Sequence, residues 1–553
     1  MNKSLLASAL ALAAALSCAT SAQAARLTLI NLDNGTQVGL NDPTPAAPVG
    51  GNPGTTVGEQ RRIAYQYAMD AWGAVVQSTV EIKIYASFAR LNCTATSATL
   101  GQAGPNWVVN DFPGSRPNTL YHSALGDAIA GEDLVDDPAD PADISSAFNG
   151  DLGKPDCLAG RGWYLGLDGK TPASTINFLN VVMHEIGHGL GASGFLNKSS
   201  GVLGLGTGMT DVYTANAYDN VQNKRFDDPA MTNALRATAM KTPGRTVWDG
   251  AQVNTQAALI LDNRTVLNVS APAAAAGSYE IGFADFGPAP TATSFPSNQL
   301  VLVDDGVAAA STSDGCETPF VNAAAVAGKI AVIDRGTCGF AVKAKNAQLN
   351  GAAGVVIVNN TGGVQGMGNA VPPITDITIP TVMISQAEGG VVKANLPATA
   401  SVLVDPSFLQ GADRNGRTRL YAPTVVAGGS TFSHFDTDLQ PNALMEPFDT
   451  PEIQSQLNVD LTPALFTDIG WTLNPGNAML GTCNTTVKAV ETGGLIVGAN
   501  ITAESNLCAA RANGSRALYL RCISDHATEL QQHGAITTTQ LGKVRQCAST
   551  VRP

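Results

Sequence analysis

His184-Glu185-Ile186-Gly187-His188 sets two imidazoles four residues apart, with a carboxylate beside the first. On a helix, residues at that spacing project from one face, so both rings can reach one ion at about 2.0–2.1 Å, the usual Zn–N distance. Glu185 then stands where it can take a proton from water at that ion. Ile176, Leu179, Met183, Ile186 and Leu190 follow helical spacing and supply an apolar opposite face. Thr171-Pro172 predicts the helix start, and Gly189, Gly191 and Gly194 predict its end.

A catalytic zinc takes three protein ligands and keeps one position open, so the pentapeptide is one ligand short. No glutamate occurs between Glu185 and Glu280, which removes an arrangement completed by a glutamate on the next helix. A histidine six residues after His188 would fall at position 194, which is Gly194. Asp227 or Asp228 is one alternative, in a different kind of metal-dependent hydrolase. The remaining histidines are His122, His434, His526 and His533. His526 and His533 read as surface residues, because no partner carboxylate or histidine has ligand spacing. His434 stands apart, in Ser433-His434-Phe435-Asp436, shortly before Asn442-Ala443-Leu444-Met445-Glu446-Pro447.

With the zinc-helix pattern continuing through Leu190-Gly191, these two segments resemble the leishmanolysin-like branch of the metzincins. There a third histidine arrives late in the chain and is followed by a methionine in a tight turn. The resemblance implies His184, His188 and His434 as zinc ligands, Glu185 as the catalytic base and Met445 as the Met-turn residue beneath the metal. The departure is local: Leu190-Gly191-Ala192-Ser193-Gly194-Phe195 is longer than the family's ending. Asp42 to Arg62, a helical pattern over Ile63 to Val76 and an alternating strand pattern over Val80 to Tyr85 resemble the opening of such a domain. Arg419 to Pro423 and Leu465 to Trp471 resemble its returning half.

The distance from His188 to His434 has its own reading. Between about Ser270 and Pro406 the sequence becomes short apolar runs divided by Gly, Ala and Pro. Lys329 to Phe340 reads as a buried strand ending in a glycine turn. Ala341 to Asn350 reads as a helix and Gly351 to Asn360 as a second buried strand. This unit resembles the protease-associated (PA) domain, and Ile379 to Ser385 resembles that domain's last strand. As an insertion it requires its two ends to lie close together, which would let His188 and His434 be neighbours in space. Its role reads equally as covering or widening a substrate cleft or binding protein substrate, or as a stabilising spacer.

Lys3, an apolar run from Leu5 to Leu16 and Ala22-Gln23-Ala24 predict a signal peptide and export, extracellular or periplasmic. Beyond Cys18 there are eight cysteines, an even number that favours disulfides in an exported chain. Grouping by domain suggests Cys93 with Cys157, Cys316 with Cys338, and two bridges among Cys483, Cys508, Cys522 and Cys547. A net charge of -13 argues against a nucleic-acid surface. No later apolar run reaches the length of a membrane span, and no calcium site or oligomeric state is derivable.

The expectation is an α+β protein in five segments. Residues 1–24 form the signal peptide, and 25–269 the first half of a metzincin-like zinc protease domain, a mixed sheet plus the zinc helix. Residues 270–406 form the inserted β-rich α/β PA domain, 407–475 the returning half, and 476–553 a small helical, disulfide-containing segment. The implied activity is a zinc-dependent endopeptidase acting on protein or peptide substrates. The alternative is an exported binding or adhesion protein with a structural or vestigial zinc site.

Overall fold

The computed structural model describes residues 24–306 and 311–553. The segment expected as a signal peptide lies, but for Ala24, outside the described residues. The fold is mixed α and β, with four disulfides.

The first half is built on a four-stranded sheet. Strand β1 (Leu27–Asn31) leads to helix α1 (Val57–Val75), then β2 (Ile82–Ala89), β3 (Gly101–Pro105) and β4 (Ile144–Asn149). Alternation in β2 buries Ile82, Ile84, Ala86 and Phe88 on one face. The sheet order is β1-β2-β4-β3; β1, β2 and β4 run parallel, and β3 is an antiparallel edge. Helix α1 begins at Val57, ahead of the apolar pattern at Ile63, because the Thr56 hydroxyl caps it by accepting from the Glu59 N–H at 3.2 Å.

The helix carrying the histidine pentapeptide, α2, spans Phe178–Gly189. The expected start at Thr171-Pro172 is therefore too early. Thr175–Asn177 instead pairs in parallel with Gly162–Tyr164, so Ile176 is a strand residue, and Asn177 caps the helix through the Asn180 N–H. Gly191 ends the helix at φ 129°, where an added Cβ would meet Ile469 Cδ1 at 2.5 Å. Two indoles grip α2 from distant parts of the chain: Trp72 Nε1 donates to Met183 O at 3.0 Å and Trp471 Nε1 to Leu190 O at 2.7 Å. Each such bond contributes roughly 0.5–1.5 kcal/mol net. Phe88, Phe148 and Trp163 pack on Phe178 with ring centroids 5.2–5.5 Å away.

The inserted module is organised by one eight-stranded sheet. Its elements are β5 (Asn263–Ala271), β6 (Gly277–Glu280), β7 (Gly282–Phe283), β8 (Asn298–Leu302), β9 (Ile330–Asp334), α3 (Phe340–Leu349), β10 (Gly354–Val358), β11 (Thr381–Ile384), α4 (Gln386–Ala394) and β12 (Ala398–Leu409). The order is β6-β5-β12-β8-β9-β10-β11-β7, with β8 to β11 parallel and buried apolar clusters on both faces. The sheet starts at Asn263 and ends at Leu409, wider than the expected 270–406. The reason is pairing: β5 and β12 run antiparallel from Asn263↔Leu409 onward, so the chain enters and leaves side by side. Asp262 N–H donates to Gln440 O and Gln410 N–H to Asp262 O, sewing that junction to the returning half.

At the same junction two arginines and two carboxylates close a ring. Arg264 bonds Glu280 and Asp438, and Arg419 bonds the same two acids, with Arg264 and Glu280 contributed by the module. Burial opposes ionisation of Glu280, but the Arg419 guanidinium, with Arg264 behind it, holds its carboxyl down at about 2.

The C-terminal segment is not wholly helical. It opens with a hairpin, Asn477–Leu480 and Cys483–Lys488, before helices α5 (Val497–Ala512), α6 (Arg516–Gln532) and α7 (Thr538–Ala548). The bridges are Cys93–Cys157, Cys316–Cys338, Cys483–Cys547 and Cys508–Cys522. Asn500 on α5 donates to Tyr67 OH on α1 at 2.8 Å, which docks the segment on the first half. His526 is half-buried at this seam, with its Nε2 2.7 Å from Asn500 Oδ1, rather than a surface residue.

Replacing Cys483 and Cys547 together by Ala should cost about 2–5 kcal/mol of segment stability, measured by denaturant unfolding. A group held below its ordinary value stabilises the fold fully above that value and loses the contribution as pH falls through the depressed one. Between about pH 4.5 and 2, therefore, Glu280→Gln should flatten the loss of stability with acid relative to the parent chain, read by thermal unfolding across that range.

Candidate metal centre

Helix α2 places His184 and His188 one turn apart, and His434 reaches the same point from the returning half. The three Nε2 atoms form a triangle with sides of 3.0, 3.1 and 3.2 Å. Each ring is oriented from behind by a backbone carbonyl: His184 Nδ1 lies 2.7 Å from Leu444 O, His188 Nδ1 2.9 Å from Ala192 O, and His434 Nδ1 2.8 Å from Ser430 O. A carbonyl oxygen only accepts, so each Nδ1 carries the proton and each Nε2 presents a lone pair. Burial holds His184 down to about 4 and drives His188 and His434 well below their ordinary range, so none gains a second proton near neutrality.

Three neutral acceptors facing one another have no proton to share. A cation satisfies all three at once. A tetrahedral ion with Zn–N near 2.05 Å needs nitrogens about 3.3 Å apart, close to the triangle here. Carbonyl partners behind metal-facing imidazoles are the arrangement that fixes tautomer and orientation in metal sites. The donor set therefore fits zinc.

Glu185 is 5% exposed, and burial raises its carboxyl to about 8, against a backbone N–H bond from Ala103 that lowers it. Ala103 lies on β3, the sheet edge. Gly101 on the same strand makes the approach feasible, since an added Cβ would stand 2.6 Å from Glu185 Oε1. Sequence reasoning missed both residues, and no motif marks them; the contact exists only because β3 crosses α2.

Met445 is buried beneath the middle of the pentapeptide: a Cβ on Gly187 would meet its Sδ at 3.0 Å. Its turn serves two ligands. Leu444 O orients His184, while Met445 O accepts from Phe435 N–H, next to His434, at 2.9 Å. Asp460 Oδ2 and Glu446 Oε1 hold the turn by accepting from the Leu444 and Ala443 N–H groups.

Asp227 and Asp228 lie outside the histidine cluster, and Asp228 pairs with Lys224 at 3.5 Å. His122 bonds Ser193 Oγ and His533 bonds Glu529 O, and neither belongs to the cluster. Two other ligand-like groupings occur among the described residues. In Glu504, Cys508 and Cys522 the sulfurs are spent in a disulfide, and among Asp305, Asp314 and Glu317 the Lys343 ammonium already supplies a positive charge.

Residues 297–391 match the PA domain family. A stretch of 96 residues is 36% identical to ER degradation-enhancing alpha-mannosidase-like protein 3 of Homo sapiens, covering 16% of this chain and 10% of that protein. Similar solved structures include an aminopeptidase from Aneurinibacillus sp. strain AM-1, 24% identical over 29% of this chain and 38% of that one, with a TM-score of 0.18. Another is BSAP, a zinc aminopeptidase from Bacillus subtilis, 22% identical over 28% of this chain and 35% of that one, with a TM-score of 0.19. Likeness at that level carries no property over to the histidine-bearing halves. The family match does establish that this chain contains a PA domain, inserted between the segments that carry His188 and His434.

Proposed function

We propose that the protein is an exported zinc-dependent endopeptidase of the leishmanolysin-like metzincin type, acting on protein or peptide substrates. The observation that carries this reading is the triangle of three Nε2 lone pairs with a buried carboxylate on the same helix. His184, His188 and His434 would hold the ion, and the fourth position would face substrate and water. A zinc ion bound there supplies Lewis acidity toward a peptide carbonyl and toward water.

The remaining work falls to the chain. Glu185, aimed by the Ala103 N–H, acts as its carboxylate: it takes a proton from water and passes it to the departing amine nitrogen. The carbonyls of Leu444, Ala192 and Ser430 keep the three imidazoles neutral and correctly turned. Met445 and its turn keep the distant ligand beside the helix. The metzincin assignment rests on His434 being followed by that turn. Four disulfides are compatible with an extracellular setting, and no helix among the described residues is long and apolar enough to cross a membrane.

In the purified full chain, His434→Ala should lower bound zinc from roughly one ion per chain to a small fraction, measured by atomic emission after dialysis. Full retention would dismiss His434 as a ligand. Glu185→Gln should keep its zinc yet lose roughly 10²–10⁴-fold in casein cleavage. Undiminished cleavage would remove Glu185 from the mechanism, and zinc binding without cleavage in the parent chain would favour a binding protein with a structural zinc.

A further inference from the structure

The ring of Arg264, Glu280, Arg419 and Asp438 lies between the PA module and the bridged pair of segments that carries His434. Arg419 reaches Glu280 through both terminal nitrogens, Nη1–Oε1 at 2.7 Å and Nη2–Oε2 at 2.6 Å, and reaches Asp438 at 3.0 Å. Arg264 closes the circuit from the module side, 2.9 Å from Glu280 and in contact with Asp438. Gln410 Nε2 adds a bond to Asp438 Oδ1 at 2.6 Å.

From Arg419 the path to His434 is backbone. Asp436 N–H donates to Arg419 O at 3.0 Å, Tyr421 N–H to His434 O at 2.9 Å and Phe432 N–H to Tyr421 O at 2.8 Å. Leu420 and Phe435 form an antiparallel bridge in the same ladder. Arg419 thus lies in one of two extended segments joined by these backbone bonds, and His434 lies in the other. These bonds give a displacement of Arg419 a continuous backbone route to the third imidazole.

A seam that served stability alone has little use for such a ring. Buried ion pairs lose in desolvation most of what they gain in attraction, and apolar packing of similar volume commonly does as well. This ring also leaves the Nε of both arginines buried without a partner. What bidentate pairs add is a fixed direction and register. The module supplies half of the charges; without it Arg419 keeps Asp438 but loses its bidentate partner Glu280.

We infer that Glu280 and Arg264 of the PA module are positioning residues for His434, acting through Arg419, so that the inserted domain sets the geometry of the metal centre. The metal part of this inference rests on the reading of His184, His188 and His434 as zinc ligands; the mechanical part does not. The ring also borders a cleft of about 910 Å3 between module and host, lined by Glu280, Phe283 and Gln365 on one side and Arg419 and Tyr421 on the other.

The test uses the full chain with Glu280→Gln, and Arg264→Lys as a second variant in case the first fails to fold. Lys345→Ala, at an exposed pair elsewhere on the module, is the control. In metal-free protein, amide exchange read by mass spectrometry should rise about tenfold at Phe432, Phe435 and Asp436 in the ring variants while β9 in the module core stays protected. In the loaded protein, competition with a chelator should show zinc affinity weakened about 10–100-fold, and the cobalt-substituted form should have an altered visible spectrum. Casein hydrolysis should lose kcat with little change in KM. Exchange and zinc affinity equal to the control would overturn the inference. A parent chain that takes up no zinc would instead defeat the metalloprotease reading, and the exchange measurement would still decide the coupling.

Discussion

Three imidazole lone pairs point at one another inside the protein, and much of the surrounding structure is arranged to keep them there. Each Nδ1 is tied to a carbonyl, and each carbonyl comes from a different piece of chain: the Met445 turn, the segment just after α2, and the loop before His434. Facing acceptors are unfavourable without a cation, and burial denies the rings the protons that would relieve them. The cost is borne by the packing around them. Trp72 and Trp471 pin the helix, Met445 fills the space left by Gly187, and Asp460 fixes the turn.

The second constraint is topological. His188 and His434 are separated by a domain with its own sheet and its own apolar clusters. The insertion is tolerated because β5 and β12 run side by side from their outer ends, which brings residues 263 and 409 together. Without that pairing the two halves of the site would be held apart. The ring of Arg264, Glu280, Arg419 and Asp438 makes the junction directional as well as close.

Much of this is legible in the sequence. The helix face of His184 and His188, the buried-strand runs of the PA domain and the grouping of cysteines follow from local pattern, since side-chain spacing along an element dictates which groups share a face. The Cys93–Cys157 and Cys316–Cys338 pairings match that grouping. Boundaries are less legible. Thr171-Pro172 looks like a helix start, but the Thr175–Asn177 strand intervenes, because pairing with Gly162–Tyr164 outweighs a local start signal. The hairpin before α5 escapes sequence reading because strands of four and six residues carry little periodicity.

The sequence by itself determined the chemistry on offer: two imidazoles and a carboxylate on one helix, a histidine and methionine far downstream, and a module between them. Tertiary structure alone decided that the His434 Nε2 stands 3.1 Å from that of His188, that Gly101 and Ala103 face Glu185, and that Glu280 holds Arg419. The division has a physical cause. Identity and spacing encode what a helix or strand presents on its own face, whereas these contacts join elements far apart in the chain, whose meeting depends on how whole surfaces pack.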